Sequence, residues 1–280
     1  MPNPQHLLFT APDLNEIDPA TLTLLTPPTR AAFGRRLYQY RDGQGHTYVL
    51  KTQLQDGHAD VAASFQRELE FYQDLGQKQA DFLLPYYILQ TTPNEMWGQH
   101  IFVLPQAKSF LTEPEAQQSI DACLHAIWQM VNVLDALHQY DWIHADLKAA
   151  HFVQYQNKLC LLDFEQAMQL NVADHEVCQN ALVTATPRYM APELFHGEPK
   201  TVQSDLYALG IILLEWLTGQ RLYAKSYQDW AVLHCQQLKV ELPSHQNVFK
   251  ALLEGLLAKQ KSARFSDLTA VKRYLMTEIE

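Results

Sequence analysis

The run Ile143-His144-Ala145-Asp146-Leu147-Lys148-Ala149-Ala150-His151-Phe152 constrains this chain more than any other feature. It follows a helical pattern in which Ile120, Leu124, Ile127, Val131 and Leu134 recur at helical spacing. It precedes a short hairpin pattern, Phe152–Tyr155 and Leu159–Leu162, that ends in Asp163-Phe164-Glu165. Scattered charges near turns ordinarily mean a solvated surface. An ordered set, with an acid and a base in one loop and a second acid just past a tight hairpin, is a candidate site.

The rest of the chain frames that set. With 280 residues, 47% of them hydrophobic and 19% charged, it is long and apolar enough for one large domain or two lobes sharing a cleft. Residues 1–28 carry prolines at 2, 4, 12, 19, 27 and 28 and read as an irregular lead-in. Residues 29–105 read as strands broken by one helix. Leu37–Tyr40 and Thr47–Leu54 flank the turn Asp42-Gly43-Gln44-Gly45, Val61–Leu75 is helical, and Phe82–Gln90 and Ile101–Leu104 are further strands. Past Pro105-Gln106-Ala107, residues 106–280 turn to long helices, so a sheet-rich lobe and a helix-rich lobe are expected with a cleft between them.

Helix, H-x-D-L-K loop, tight hairpin and D-F-x triplet together resemble the catalytic loop and metal-binding triplet of eukaryotic-type Ser/Thr protein kinases. The resemblance implies an α+β, bilobal protein-kinase-like fold: a small antiparallel β lobe with one helix, and a larger helical lobe. It also implies ATP with Mg²⁺ or Mn²⁺ as cofactors, and a protein substrate that offers a serine or threonine hydroxyl. Such chemistry needs a carboxylate to orient the attacking hydroxyl, a cation on the migrating phosphate and a second carboxylate for the metal. By resemblance Asp146 takes the first role, Lys148 the second and Asp163 the third. Lys51, in Tyr48-Val49-Leu50-Lys51, is the implied phosphate-facing lysine, and strand alternation puts Val49 on its face as a roof for adenine.

The lysine's expected partner is a helix glutamate, and periodicity selects one. Phe65, Leu69, Tyr72 and Leu75 form one apolar face; Glu68 falls inside it and Glu70 nearly opposite. A carboxylate aimed at a core needs a partner, so Glu68 is paired with Lys51 and Glu70 is left to solvent. Downstream, Thr184-Ala185-Thr186-Pro187-Arg188-Tyr189-Met190-Ala191-Pro192-Glu193 resembles the substrate-docking end of an activation segment, closing in A-P-E. In the family an aspartate, here Asp205, accepts amides of the catalytic loop, and an arginine, here Arg264, pairs with the A-P-E glutamate, here Glu193. Small-molecule kinases of related fold usually lack this segment.

The sequence departs from the family at four places. Counting back from Lys51 puts Thr29-Arg30-Ala31-Ala32-Phe33-Gly34 where G-x-G-x-x-G belongs, so only Gly34 keeps its glycine; a hairpin with a looser phosphate grip is expected, with Arg30, Arg35 or Arg36 as compensating cations. His151 stands where the family has a metal-binding asparagine, as a metal ligand, a phosphate contact or a packing residue. The lipopolysaccharide-core sugar kinases resemble this pattern. Glu165 replaces the glycine of D-F-G, which removes a hinge and can lock the triplet in one state. Finally, Ala145 stands where many kinases carry an arginine that reads activation-loop phosphate, and Gln166 to Val183 contains no Ser, Thr or Tyr. Activity independent of activation-loop phosphorylation is therefore expected. Three readings stay open: a Ser/Thr protein kinase, a nucleotide-binding scaffold without turnover, and a kinase of a sugar or lipopolysaccharide-like acceptor.

Charge and cysteine usage narrow the partners. A net charge of −10 with no basic block argues against nucleic acid. Cys123, Cys160, Cys178 and Cys235 form no C-x-x-C pair and read as thiols in a reducing compartment. The longest apolar stretch, Leu206 to Leu214, is too short to span a bilayer, and no targeting segment is visible, so a cytoplasmic location is expected.

Overall fold

An antiparallel sheet organises the first part of the chain in a computed structural model that describes residues 10–14, 17–55, 57–78, 80–111, 119–170 and 185–278. Its strands are β1 (Thr23–Leu24), β2 (Arg35–Arg41), β3 (Thr47–Gln53), β4 (Tyr87–Gln90) and β5 (His100–Pro105), in the order β1-β2-β3-β5-β4. The β2–β3 hairpin forms because Asp42 Oδ1 accepts the amides of Gln44 and His46 at 2.9 and 2.8 Å, and Gly45 supplies a φ of +90°. That turn sets the register: Leu37 pairs with Lys51 and Arg35 with Gln53. Val49 and Lys51 are half-buried on one face of β3, whereas Tyr48, Leu50 and Thr52 are buried on the other.

Both faces of this sheet are covered. Helix α2 (Ala59–Gln77) lays Phe65 and Tyr72 against Phe102, with ring centroids 5.6 and 5.0 Å apart. On the opposite face Ile17, from the stretch read as an irregular lead-in, joins Tyr48, Leu50, Ile101 and Val103 in a buried cluster, with Leu14 and Leu22 packed against it. The same stretch supplies β1, which pairs Thr23 with Gln39 and Leu24 with Tyr38.

Two expectations about this region fail. No hairpin forms over residues 29–34. A single helical turn, α1 (Pro28–Ala31), stands there, with the amides of Ala31 and Ala32 bonded to the carbonyls of Pro27 and Pro28 at 2.9 and 3.1 Å. Pro28 opens that turn at a position where its missing N–H is no loss, and without the family's glycines nothing favours a tight hairpin. Likewise the strand expected from Phe82 starts only at Tyr87. Pro85 has no amide for a ladder, and Phe82 to Leu84 turn into the core instead, where the Phe82 carbonyl accepts the Leu161 amide at 2.9 Å.

The chain divides into two units, Met1–Lys108 with Tyr155–Glu165, and Ser109–Gln154 with Gln166–Glu280. The Asp163-Phe164-Glu165 triplet thus groups with the sheet, because Phe164 is fully buried and stacks on Phe71 of α2 at 4.1 Å. In the second unit, helix α3 (Ile120–His138) is capped by Ser119, whose Oγ accepts the Ala122 amide at 3.2 Å. The helix Val202–Thr218 starts after Thr201, whose amide donates to Ser204 Oγ at 2.8 Å, and stops at Gly219, which takes φ +65°. Its residues Ser204 to Leu214 are all buried, which makes it the core of this unit. Among the described residues no helix is long and apolar enough to cross a membrane. Cys123 and Cys160 are buried thiols and Cys235 a half-buried one.

Candidate active site

Each unit gathers one set of the charged residues singled out above. In the first unit β3 presents Lys51, and its Nζ lies 2.7 Å from Glu68 Oε2, 2.6 Å from Glu165 Oε1 and 3.2 Å from Asp163 Oδ1. Glu68 is buried in α2, and its second oxygen accepts the Phe164 amide at 3.2 Å. Burial raises the Glu68 carboxyl above its ordinary range and the neighbouring Asp163 charge adds to the rise, while Lys51 opposes both. Glu70 is exposed and accepts from Gln66 at 3.0 Å.

Asp163 has φ +65°, a left-handed conformation that an aspartate adopts at some cost, and the packing of the next residue holds it there. One oxygen each from Glu68, Asp163 and Glu165 lie within 4.8 Å of one another. Such an all-oxygen donor set suits a hard divalent cation such as Mg²⁺. Val49 sits two residues before Lys51 on the same face of β3.

Gly34 is accounted for by packing. Its φ is +85°, and a Cβ there would come within 2.7 Å of the Gly57 backbone. Its amide is engaged with the Ala31 carbonyl at 3.0 Å. Two of the arginines considered as phosphate contacts, Arg35 and Arg36, are also engaged. Arg36 Nη1 donates to the carbonyls of Ala31 and Arg35, which ties it to the end of α1. Arg35 is buried and pairs with Glu165, while its Nε donates to Gln53 Oε1 at 3.0 Å and its Nη2 to the Val61 carbonyl at 2.9 Å. This environment of Glu165 is what the sequence reading missed. The signal was present in the β2–β3 register, which places Arg35 on the Lys51 face two pairs along the ladder.

In the second unit, Asp146 Oδ1 accepts the Thr186 amide at 3.1 Å and the Thr186 hydroxyl at 3.0 Å, and Oδ2 lies 2.7 Å from Lys148 Nζ. The loop that carries Asp146 is pinned from below. Asp205, at the start of the helix Val202–Thr218, accepts the amides of His144 and Ala145 at 2.7 and 2.9 Å and contacts His138 Nε2 at 3.0 Å. Burial pushes the Asp205 carboxyl up, but the bond and charge of His138, together with His144, outweigh it and leave it below its ordinary range. These bonds hold Ala145 at φ +64°, which turns the chain so that Asp146 faces Thr186. His151 is buried and its ring stacks on that of His144, 5.0 Å apart and 13° from parallel. Arg264 grips Glu193 with two nitrogens at 2.7 and 2.9 Å. The segment 171–184, which includes Cys178 and Thr184, lies outside the described residues.

An antiparallel sheet with one long helix, a larger helical unit, and these two charge sets define a protein-kinase-type fold. Residues 32–276 match the family model described as the protein kinase domain, and this chain belongs to that family. It is 27% identical over 243 residues to the serine/threonine-protein kinase TIO of Arabidopsis thaliana, a match covering 84% of this chain and 18% of that protein. It is 27% identical over 169 residues to the serine/threonine-protein kinase PknA of Corynebacterium glutamicum, covering 59% and 36%. It is 27% identical over 194 residues to the serine/threonine-protein kinase YPK2/YKR2 of Saccharomyces cerevisiae, covering 68% and 28%. The matched regions are thus a minor part of each of these relatives, from 18% to 36% of their length.

Proposed function

We propose that the chain is an ATP-dependent phosphotransferase, with Mg²⁺ or Mn²⁺, acting on serine or threonine hydroxyls of protein substrates. The observation that carries this reading is a hydroxyl already seated on Asp146: Thr186 Oγ1 donates to Oδ1 at 3.0 Å while Lys148 holds the other oxygen. A substrate hydroxyl presented to that carboxylate is oriented by it and gives up its proton to it. Lys148 offsets negative charge on the phosphoryl group as it moves. Lys51 holds phosphate oxygens, and Glu68 fixes the direction of its ammonium. Asp163 supplies metal-binding oxygens, with Glu68 and Glu165 nearby; the cation, when bound, neutralises phosphate charge. Most of the rate gain then comes from positioning and electrostatics. The reading requires both charge sets to act on one nucleotide.

Labelled ATP and a generic protein acceptor test this. Wild type transfers label, and Asp146→Asn loses about 10³-fold of the rate, as loss of a positioned base does, while ATP and Mg²⁺ still raise its melting temperature. Wild type without transfer, or Asp146→Asn with undiminished transfer, overturns the reading. A second reading, a nucleotide-binding scaffold without turnover, draws support from the helical turn α1 and from the engaged Gly34 amide. It predicts nucleotide-dependent stabilisation with no Asp146-dependent transfer to protein or to a sugar acceptor.

A further inference from the structure

The residue that replaces the triplet's glycine is held by four side chains of the first unit. Glu165 Oε1 meets both Arg35 Nη1 and Lys51 Nζ, Oε2 accepts the Ser64 hydroxyl at 3.2 Å, and its carbonyl accepts Arg67 Nε at 3.3 Å. Those partners come from β2, β3 and two turns of α2. We propose that Glu165, clamped by Arg35, is a positioning residue for Lys51: an internal latch that keeps the Lys51–Glu68 pair closed and bolts α2 to the triplet without any phosphate on the activation segment. The role in turnover rests on the kinase reading above; the latch itself does not.

Three features separate this from an ordinary surface ion pair, which contributes little. First, Arg35 is pre-oriented. Its side chain is 10% exposed, its other nitrogens are bonded to Gln53, Val61 and Ser64, and its guanidinium lies over the Phe65 ring at 5.0 Å. Second, Arg35 narrows the charge imbalance that three carboxylates on one lysine would leave. Glu68, Asp163 and Glu165 put three carboxylates on one lysine, and Arg35 supplies the second cation of the cluster. Third, no Ser, Thr or Tyr occurs from Gln166 to Val183, and Ala145 replaces the arginine that would read a phosphate. A glycine at 165 would leave Lys51 with two carboxylates and would remove the Arg35 and Ser64 ties together.

The test uses the full chain as wild type, Glu165→Gln, Arg35→Met, Arg35→Lys, Ser64→Ala and the double variant Arg35→Met/Glu165→Gln. Hydrogen exchange of the helix 59–77 without nucleotide reads the latch directly. Glu165→Gln, nearly isosteric, and Arg35→Met should each speed that exchange by about tenfold, as loss of one charge-assisted tie implies. The double variant should be no faster than about the larger single effect, since coupled partners are not additive. Arg35→Lys should recover part of the protection, and Ser64→Ala, which keeps every charge, should show a smaller gain of about threefold. If wild type transfers phosphate, Glu165→Gln should lower kcat about tenfold with KM for ATP changed less than about threefold, the signature of lost positioning.

Exchange in Glu165→Gln within about twofold of wild type, or strictly multiplicative effects in the double variant, overturns the latch. A raised kcat in Glu165→Gln also overturns it, because the carboxylate would then be competing for Lys51. Absent transfer by wild type removes the kinase reading alone, and the exchange results then decide the latch.

Discussion

Two arginine–glutamate centres in this molecule, one buried and one half-buried, are built on opposite plans. Arg264 and Glu193 close on each other: two parallel bonds, further donations to the carbonyls of Gln203 and Ala258, and a guanidinium stacked over Tyr207 at 4.9 Å. One positive charge meets one negative charge. Around Lys51 the count is two cations, Arg35 and Lys51, against three carboxylates, so acid is in surplus and an oxygen-rich cluster remains. A matched buried pair is sufficient in itself and serves structure. A mismatched one is poised for a further cation, and that difference separates a staple from a site.

Substitutions at the two centres should therefore fail in different ways. The largest effect is expected from Lys51→Met, which should cut phosphate transfer by roughly 10² to 10³ through lost charge stabilisation. Its stability should suffer less, because Glu68, already inclined by burial to hold a proton, can become neutral. An equal loss of stability and activity would erase the contrast. Arg264→Met should do the reverse and strand the Glu193 carboxylate in the core, at a cost of about 3–5 kcal/mol read from the urea midpoint.

A third measurement probes the core of the helical unit by pH. His234 is fully buried against Tyr207, whose hydroxyl lies 2.9 Å from Nδ1, and burial pushes its imidazole down from 6.5 to about 4. The unfolded chain thus binds the proton more readily than the folded one between those values. Stability should be intact above pH 6.5 and fall as pH drops towards 4, by about 3 kcal/mol in all. His234→Phe should flatten that limb, and an unchanged slope would assign it to other groups. The smallest expected effect is none: phosphatase treatment should leave transfer within about twofold, and abolished activity would mean that phosphate controls the site after all.

Legibility followed the range of the forces involved. Helical periodicity alone was enough to prefer Glu68 to Glu70, because a carboxylate in an apolar stripe has to find a cation. The Asp205 amide bonds and the Arg264–Glu193 pair were anticipated through resemblance, since those residues stand in the family's order. Less was readable where the order breaks. Counting back from Lys51 located the loop at 29–34 but gave it the family's hairpin, although Pro27-Pro28 ahead of two alanines favours a helical turn. Arg35 was one of three arginines offered as a phosphate contact, because its partner Glu165 is 130 residues away in sequence. The lead-in looked irregular because its apolar residues, Leu14, Ile17 and Leu22, follow neither the strand nor the helix period.

That lead-in bears on where the folding unit starts. The kinase match begins at residue 32, yet Ile17 is only 7% exposed and closes over Tyr48, Leu50, Ile101 and Val103. A polypeptide trimmed to the family boundary would bare the back of the sheet and forfeit about 1.5–3 kcal/mol for that isoleucine alone. It would also uncover a sticky apolar surface next to the unpaired edge of β2. For this chain the domain recognised by likeness is shorter than the domain held together by packing.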